Sequence, residues 1–320
     1  MPRPAPRSHS PDTAQAPDAS QDGRPDSART YVVAGCKLSA ASLQPGLHIV
    51  ATPIGTLADV TLRALATLAA ADVILCEDTR VTRKLVSHYG IATPLSAYHE
   101  HNAAEMRPRV LARLAAGGRV ALVSDAGTPL ISDPGFKLVR DAIGADAFVT
   151  AAPGASAVLN ALVLAGLPTD RFFFEGFLPA KAQARRNRIS ELATLPATLV
   201  LYETGPRVAA ALADLADGLG DRPAALAREM TKRFEQVRRG GLAALAAALG
   251  GEPAPKGEIA LVIGPPPDEA PATVEDIDAL LARALARASV KDAAGEVAAV
   301  TGRPRREVYA RALELAKPAR

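Results

Sequence analysis

Short apolar runs that end in Gly, Pro and small polar residues, each followed by a segment of helical period, recur along most of this chain, and that alternation restricts the fold more than any other feature. Leu47–Thr52 ends at Pro53 and Gly55 and leads into a helix-period stretch from about Thr61 to Ala70. Asp72–Cys76 leads through Glu77, Asp78, Thr79 and Arg80 into a helix reaching about Tyr89. A helix around Glu105–Ala115, a strand at Arg119–Ser124, a helix around Phe136–Ile143 and a strand at Ala147–Thr150 follow, and the turn Ala152–Ser156 opens another apolar helix. Strands alternating with helices imply a mainly parallel sheet covered on both faces.

The pattern breaks at Gly166-Leu167-Pro168 and restarts at Phe172-Phe173-Phe174. Shorter units then read as strands at Thr198–Tyr202, Ala224–Ala227 and Glu258–Ile263, with helices around Val208–Gly218 and Leu242–Leu249, a second α/β layer structure. Pro265-Pro266-Pro267 reads as a stiff linker. Beyond it only helices are expected: Val274–Arg287, Val290–Val300 and Pro304–Leu315, with Gly302 in a turn and Pro304 suited to a helix start. A chain of 320 residues, 48% hydrophobic, can bury more than one core. The expected partition is a disordered tail over 1–46, an α/β domain over 47–167, a second α/β domain over 168–266 and a helical extension over 267–320.

Several classes are disfavoured. The longest apolar stretches are broken by Arg, Asp or Gly before reaching the span of about 20 residues that a bilayer needs, so no membrane crossing is expected. The first 30 residues carry six prolines and no apolar core of the kind a secretory signal has. Cys36 and Cys76 have neither metal-like nor redox-like spacing, and a cytosolic protein is expected. No metal is expected either, since His99 and His101 lack further ligands in His99-Glu100-His101-Asn102.

The loop Ser124-Asp125-Ala126-Gly127-Thr128-Pro129-Leu130-Ile131-Ser132-Asp133-Pro134-Gly135 is the richest site signal, because ligands of open α/β sheets bind at the carboxyl ends of strands. Gly127 permits close backbone approach, and Asp125 can accept hydrogen bonds from hydroxyl or amino groups. An ordinary loop whose Asp residues cap turns fits the spacing equally well. The loop matches neither the dinucleotide glycine fingerprint nor the phosphate loop, and an uncharged adenosine-type ligand suits it better than a di- or triphosphate.

Four segments occur in one order: Ile49-Val50-Ala51-Thr52-Pro53-Ile54-Gly55-Thr56-Leu57-Ala58-Asp59-Val60-Thr61, Glu77-Asp78-Thr79-Arg80, the Ser124–Gly135 loop, and Phe174-Glu175-Gly176-Phe177-Leu178-Pro179. Together they resemble the bacterial small-subunit rRNA (cytidine-2′-O)-methyltransferases of the tetrapyrrole-methylase superfamily, over roughly Leu47–Gly264 and in the helical tail. The resemblance implies a two-domain α/β fold that binds S-adenosylmethionine in the cleft between domains, usually as a homodimer. It also implies a ribose substrate in the decoding centre, cytidine 1402 in the standard rRNA numbering, within the assembled 30S subunit. Matching motif to motif, the cofactor contacts would be Pro53, Asp125, Ala126, Gly127, Ile131, Ser156, Ala157, Tyr202 and Ala227. This sequence departs from the family at Ala51, where Pro is usual, and at Thr56, where Asn is usual. The family's Tyr-Glu-Ser-x-His-Arg stretch is here Tyr202-Glu203-Thr204-Gly205-Pro206-Arg207, without the His.

Methyl transfer from a sulfonium needs alignment, exclusion of water and a base for the ribose hydroxyl proton. Glu77 and Asp78, with Arg80 to orient a carboxylate or phosphate, are the candidates, and a structural ion-pair network at a helix start fits the same residues. Net charge is only +3, but the cations cluster. Lys181, Arg185, Arg186 and Arg188 form one run and Lys232, Arg233, Arg238 and Arg239 another. RNA phosphate contact is expected from Lys181, Arg185, Arg186, Lys232 and Arg233, and from Arg303, Arg305 and Arg306 at the start of the last helix. Solvated helix faces and a dimer-forming bundle are the plainer alternatives. A corrin or porphyrin-precursor methylase, or a non-catalytic RNA-binding assembly factor, would share the fold.

Overall fold

The computed structural model describes residues 29–267 and 274–316. The chain separates into two compact units. One comprises the described residues up to Val50 together with Thr61–Asp125 and Pro134–Pro153; the other comprises Ala51–Val60, Ala126–Asp133 and the described residues from Gly154 onward.

The first unit holds strands β1 (Thr30–Val33) and β2 (Cys36–Ser39), an antiparallel hairpin whose turn residues Ala34 and Gly35 both have positive φ. Such a turn matches the right-handed twist of the strands it joins. This hairpin corrects the expectation of a disordered tail through residue 46; residues 1–28 lie outside the described part. The alternation Thr-Tyr-Val-Val is a strand signal, but one obscured by the polar, proline-rich residues before it.

The main sheet of this unit contains β3 (Gly46–Val50), β4 (Val73–Cys76), β5 (Leu95–Ala97), β6 (Arg119–Leu122) and β7 (Val149–Ala152), in the order β5-β4-β6-β3-β7. All four pairings are parallel. Helices α1 (Leu62–Ala70), α2 (Thr79–His88), α3 (Ala103–Ala115) and α4 (Phe136–Gly144) are the crossovers. Thr61 caps α1 by accepting from Ala64 N at 3.1 Å, and the helix buries Ala64, Leu65 and Leu68. Parallel pairing brings the carboxyl ends of β4, β6, β3 and β7 to one edge, so the polar residues after each strand gather there.

In the second unit α5 (Ala157–Ala165) precedes a mixed sheet of β8 (Phe172–Phe177), β9 (Thr198–Thr204), β10 (Pro223–Arg228), β11 (Gln236–Gly241) and β12 (Glu258–Ile263). Their order is β11-β10-β12-β9-β8, with β8 and β9 parallel and the other neighbours antiparallel. Period-2 alternation sorts the side chains to two covered faces. Leu199, Leu201, Leu226, Ile259, Leu261 and Ile263 pack with α6 (Ala182–Leu192), α7 (Gly205–Leu219) and α8 (Leu242–Gly250). Val200, Ala225, Ala227, Ala260 and Val262 face Val158, Ala161, Leu162 and Ala165 of α5.

The expected boundary at Leu167 therefore moves: α5 belongs with the second sheet. Strand–helix alternation in sequence fixes the kind of unit but not which sheet a helix covers. The last helices, α9 (Val274–Leu285), α10 (Val290–Thr301) and α11 (Arg305–Leu315), fall close to the expected bounds. They share a core of Leu281, Ala284, Ala293, Ala294, Val297, Val308 and Ala312. Gly302, with φ 64°, ends α10, and Pro304 precedes α11. Among the described residues no helix is long and apolar enough to cross a membrane.

Candidate functional site

Within the first unit the turn after β4 meets the loop after β6. Asp125 accepts a hydrogen bond from Asp78 N at 3.0 Å, so its carboxylate holds the start of the β4–α2 connection. Asp78 in turn caps α2, accepting from Arg80 N at 2.8 Å, and is gripped by the Arg80 guanidinium at 2.6 Å. Those hydrogen bonds from Arg80 hold the Asp78 carboxyl down at about 2.

Asp78 and Arg80 thus satisfy each other in the helix-start ion pair, in which Arg80 orients a carboxylate and Asp78, held low, is a weak proton acceptor. The Arg80 side chain is otherwise 88% exposed.

Glu77 is different. Burial, and then the neighbouring charges of Asp125 and Asp78, push its carboxyl above the usual range, partly offset by His99. A carboxylate raised in this way is a better proton acceptor at neutral pH than one held low.

His99 stands just past β5, its N–H donating to Asn102 Oδ1 at 2.8 Å, while Asn102 Nδ2 donates to Ala97 O at 3.0 Å. Its buried Nδ1 has no hydrogen-bond partner among the described residues. Among those residues no group of His, Cys, Asp and Glu is disposed to hold a metal ion.

Within the second unit the loops 51–60 and 126–133 are stitched together. Thr52 N donates to Gly127 O at 2.8 Å and Gly127 N to Thr52 O at 3.0 Å, a single antiparallel bridge. Gly127 has φ 81°, and a Cβ there would meet Ile54 Cγ2 at 3.3 Å. Thr128 Oγ1 donates to Ala155 O at 3.1 Å. Leu130 and Ser132 adopt left-handed backbone at φ 73° and 67°. Two non-glycine residues in that region within three positions mark a loop held in shape by its surroundings, as ligand-binding loops commonly are.

Ser156 caps α5, its hydroxyl facing Leu159 N, and lines an open recess of about 420 Å³ with Ile54, Asp59, Gly154, Ala155 and Asn160.

Ala157, Tyr202 and Ala227, expected as cofactor contacts, converge on one cluster with Ile54 and Val158. Tyr202 packs edge-on against Phe174 and Phe177, with ring centroids 5.0 and 5.7 Å away. Burial first, then the charges of Asp133 and Glu258, push its phenol up to about 12, so it remains a neutral hydroxyl. Pro53 lies beside the Thr52–Gly127 bridge in this unit, Ala126 opens the 126–133 segment, and Ile131 is exposed on it. Asp125 belongs to the first unit.

Sequence reasoning did not single out Thr231. Thr56 N donates to its Oγ1 at 3.1 Å, the Thr56 hydroxyl donates to its carbonyl, and it too lines the recess. Its left-handed backbone, φ 64°, leaves no trace in the sequence because threonine rarely adopts it.

The cations expected to meet phosphate divide sharply. Arg185 is buried and donates to Asp214 at 2.7 Å and to Ala180 O at 3.3 Å, so its assignment to RNA contact is corrected. Arg186 reaches the same Asp214 at 3.5 Å but stays exposed. Arg188 binds Glu175 in a bidentate pair at 2.6 and 2.7 Å. Lys181 is exposed at the start of α6. Lys232 pairs with Glu229 at 3.0 Å, and Arg233 lies 5.5 Å above the Phe234 ring. Arg305 and Arg306 are exposed in the first turn of α11, and Arg303 is half-buried just before it.

Residues 46–246 match the family model of tetrapyrrole (corrin/porphyrin) methylases, and residues 271–316 match the model described as the RsmI C-terminal HTH domain. A protein of Mesorhizobium japonicum named ribosomal RNA small subunit methyltransferase I is 48% identical over 285 residues, covering 89% of this chain and 97% of that protein. One of the same name from Erythrobacter litoralis is 51% identical over 279 residues, covering 87% and 98%. Among solved structures, uroporphyrin-III C-methyltransferase from Thermus thermophilus aligns with a TM-score of 0.51 at 23% identity, over 69% of this chain and 94% of that one. Diphthine synthase aligns at 0.54 and 17% identity, over 68% and 89%. These two likenesses establish the fold.

Proposed function

Because the chain belongs to the tetrapyrrole methylase family, and within it to the group of its ribosomal RNA small subunit methyltransferase I relatives, we propose that it methylates small-subunit rRNA, using S-adenosylmethionine. The reading extends to the ribose 2′-hydroxyl of cytidine 1402 as target, in the assembled 30S subunit, with the protein acting as a cytoplasmic homodimer.

The observation that carries it is the extent of the relationship. The rRNA methyltransferase relative accounts for 89% of this chain and the helical extension has its own matching model, whereas the porphyrin methylase accounts for 69% of this chain. A small macrocycle gives no reason for the three additional helices.

The residues present suit an adenosine-type cofactor without phosphates. The donor set of the 126–133 and 154–157 segments is backbone amides, carbonyls and small hydroxyls, with no cation to select a phosphate. Gly127 lets Ile54 pack close to the backbone of this loop, and neutral Tyr202 offers a hydroxyl rather than a charge. S-adenosylmethionine, when bound, would supply an electrophilic methyl group on a sulfonium whose sulfur leaves as a neutral thioether. The residues that would hold it are Pro53, Asp125, Ala126, Gly127, Ile131, Ser156, Ala157, Tyr202 and Ala227.

The chain's own chemical task is then to accept the proton of the attacking ribose hydroxyl. Glu77, with its raised carboxyl, fits that role, and the Asp125–Asp78–Arg80 chain fixes the turn that carries it.

The test is mass spectrometry of small-subunit rRNA from cells lacking the gene, with purified protein and labelled S-adenosylmethionine then added to their isolated 30S subunits. Loss and restoration of one ribose methyl on the decoding-centre cytidine is the expected result. Unchanged rRNA with no transfer overturns it and favours a macrocycle substrate.

A further inference from the structure

The connection between β10 and β11 in the second unit ends in an exposed aromatic ring, and nothing in the transfer of a methyl group requires it. Phe234 is 67% exposed, the most exposed of the large aromatic side chains there. The residues around it are held firmly. Glu229 and Thr231 both adopt left-handed backbone, at φ 52° and 64°. Thr231 N donates to Glu235 Oε2 at 2.6 Å, Lys232 N to Glu229 O at 3.0 Å and Glu235 N to Lys232 O at 3.1 Å. The Thr56 contacts tie the base of this turn to segment 51–60. At Gly55 the fit is so close that a Cβ would sit 2.7 Å from Lys232 Cγ and 2.9 Å from Met230 O.

Both acids of the turn are engaged: Glu229 with Lys232 and Glu235 with Thr231 N. Arg233 has no carboxylate partner among the described residues and lies against the ring instead. The outer surface therefore offers an aromatic face and a guanidinium on a backbone that is already ordered, the Lys232 ammonium being held by Glu229. An aromatic face binds any unpaired base by stacking, while an adjacent guanidinium donates hydrogen bonds to a neighbouring phosphate, and prior ordering removes an entropic penalty from the encounter.

We propose that Phe234 is a nucleobase-stacking platform, with Arg233 as its phosphate contact, that grips an unpaired nucleotide of the substrate RNA. The proposal rests on the rRNA reading above and adds a residue that touches RNA.

Its test uses the full-length protein in two assays. In the first, a single-stranded RNA oligonucleotide carrying 2-aminopurine is titrated with protein, without cofactor. Wild type is expected to quench the fluorescence; Phe234→Ala is expected to abolish the quenching and weaken binding roughly tenfold, and Phe234→Trp to restore both. In the second, methyl transfer to 30S subunits is measured, where Phe234→Ala raises KM with kcat and S-adenosylmethionine binding unchanged.

Equal quenching and equal KM in Phe234→Ala overturn the proposal. So does a change in oligomeric state on gel filtration with RNA affinity intact, which assigns the ring to a protein contact. If wild-type protein quenches yet transfers no methyl to 30S subunits, the stacking platform stands and the substrate reading fails.

Discussion

Two runs of cations look alike in the sequence and differ in the fold. Along α6, Arg185 and Arg188 point back into the second unit, one onto Asp214 and the other onto Glu175. Along the β10–β11 connection and the strand beyond it the contacts stay at the surface: Lys232 pairs with Glu229, Arg238 with Glu252 at 2.8 Å and Arg239 with the carbonyl of Leu164, while Arg233 lies against the Phe234 ring. A guanidinium whose side chain is 8% exposed beside a carboxylate 12% exposed serves the fold, because water no longer competes for either group. A cation at an exposed turn contributes little to stability and remains available to a polyanion.

The contrast can be broken most directly at Arg185. Arg185→Ala leaves the largely buried Asp214 with only the longer Arg186 contact at 3.5 Å and is expected to lower unfolding free energy by about 3 kcal/mol in urea melts. Arg233→Ala is expected to fall within about 0.5 kcal/mol of wild type. Comparable losses in the two variants would erase the distinction.

The first unit poses the same question of satisfied against available charge. Glu77→Gln is expected to reduce kcat by roughly a hundredfold, and Asp78→Asn much less. Because the Glu77 carboxyl is raised, the wild-type rate should climb with pH through that raised value and fall below it as the base is protonated. Asp78 carries the opposite sign: its carboxyl is held at about 2, so its stabilising contribution is complete above its ordinary value near 3.8 and is lost as pH falls toward 2. A pH–rate profile unchanged in Glu77→Gln would remove it from proton transfer.

A smaller effect is expected at Gly127. Gly127→Ala places a Cβ in left-handed backbone and should cost about 1 kcal/mol of stability while weakening S-adenosylmethionine binding, read by calorimetry.

The smallest change belongs to α11. Removing Arg305 or Arg306 should reduce the slope of log affinity for 30S subunits against log salt by about 1 each, whereas Arg188→Ala should leave the slope unchanged.

Much of this architecture could be read from the sequence because it rests on period and punctuation. The strand beginning near Leu47, the loop after β6, the strands starting at Thr198 and Glu258 and the three final helices were all legible in apolar alternation and in Gly and Pro placement. The hairpin at Thr30–Ser39 was not, since a proline-rich neighbourhood masks four-residue strands. The second-unit loops were legible as loops, but not their left-handed residues Leu130, Ser132, Glu229 and Thr231, which only the surrounding packing enforces.

Residue type and spacing act locally along the chain, so they set the kind of unit, the order of the motifs and the family they spell. Which charges are spent and which remain depends on contacts between residues far apart in the chain. Asp78 is consumed by Arg80 while Glu77 keeps its basicity, and Arg185 is consumed by Asp214 while Arg233 is left beside an exposed ring. A charge is neutralised by whatever distant residue the fold brings within about 3 Å, and one-dimensional spacing carries no record of that distance.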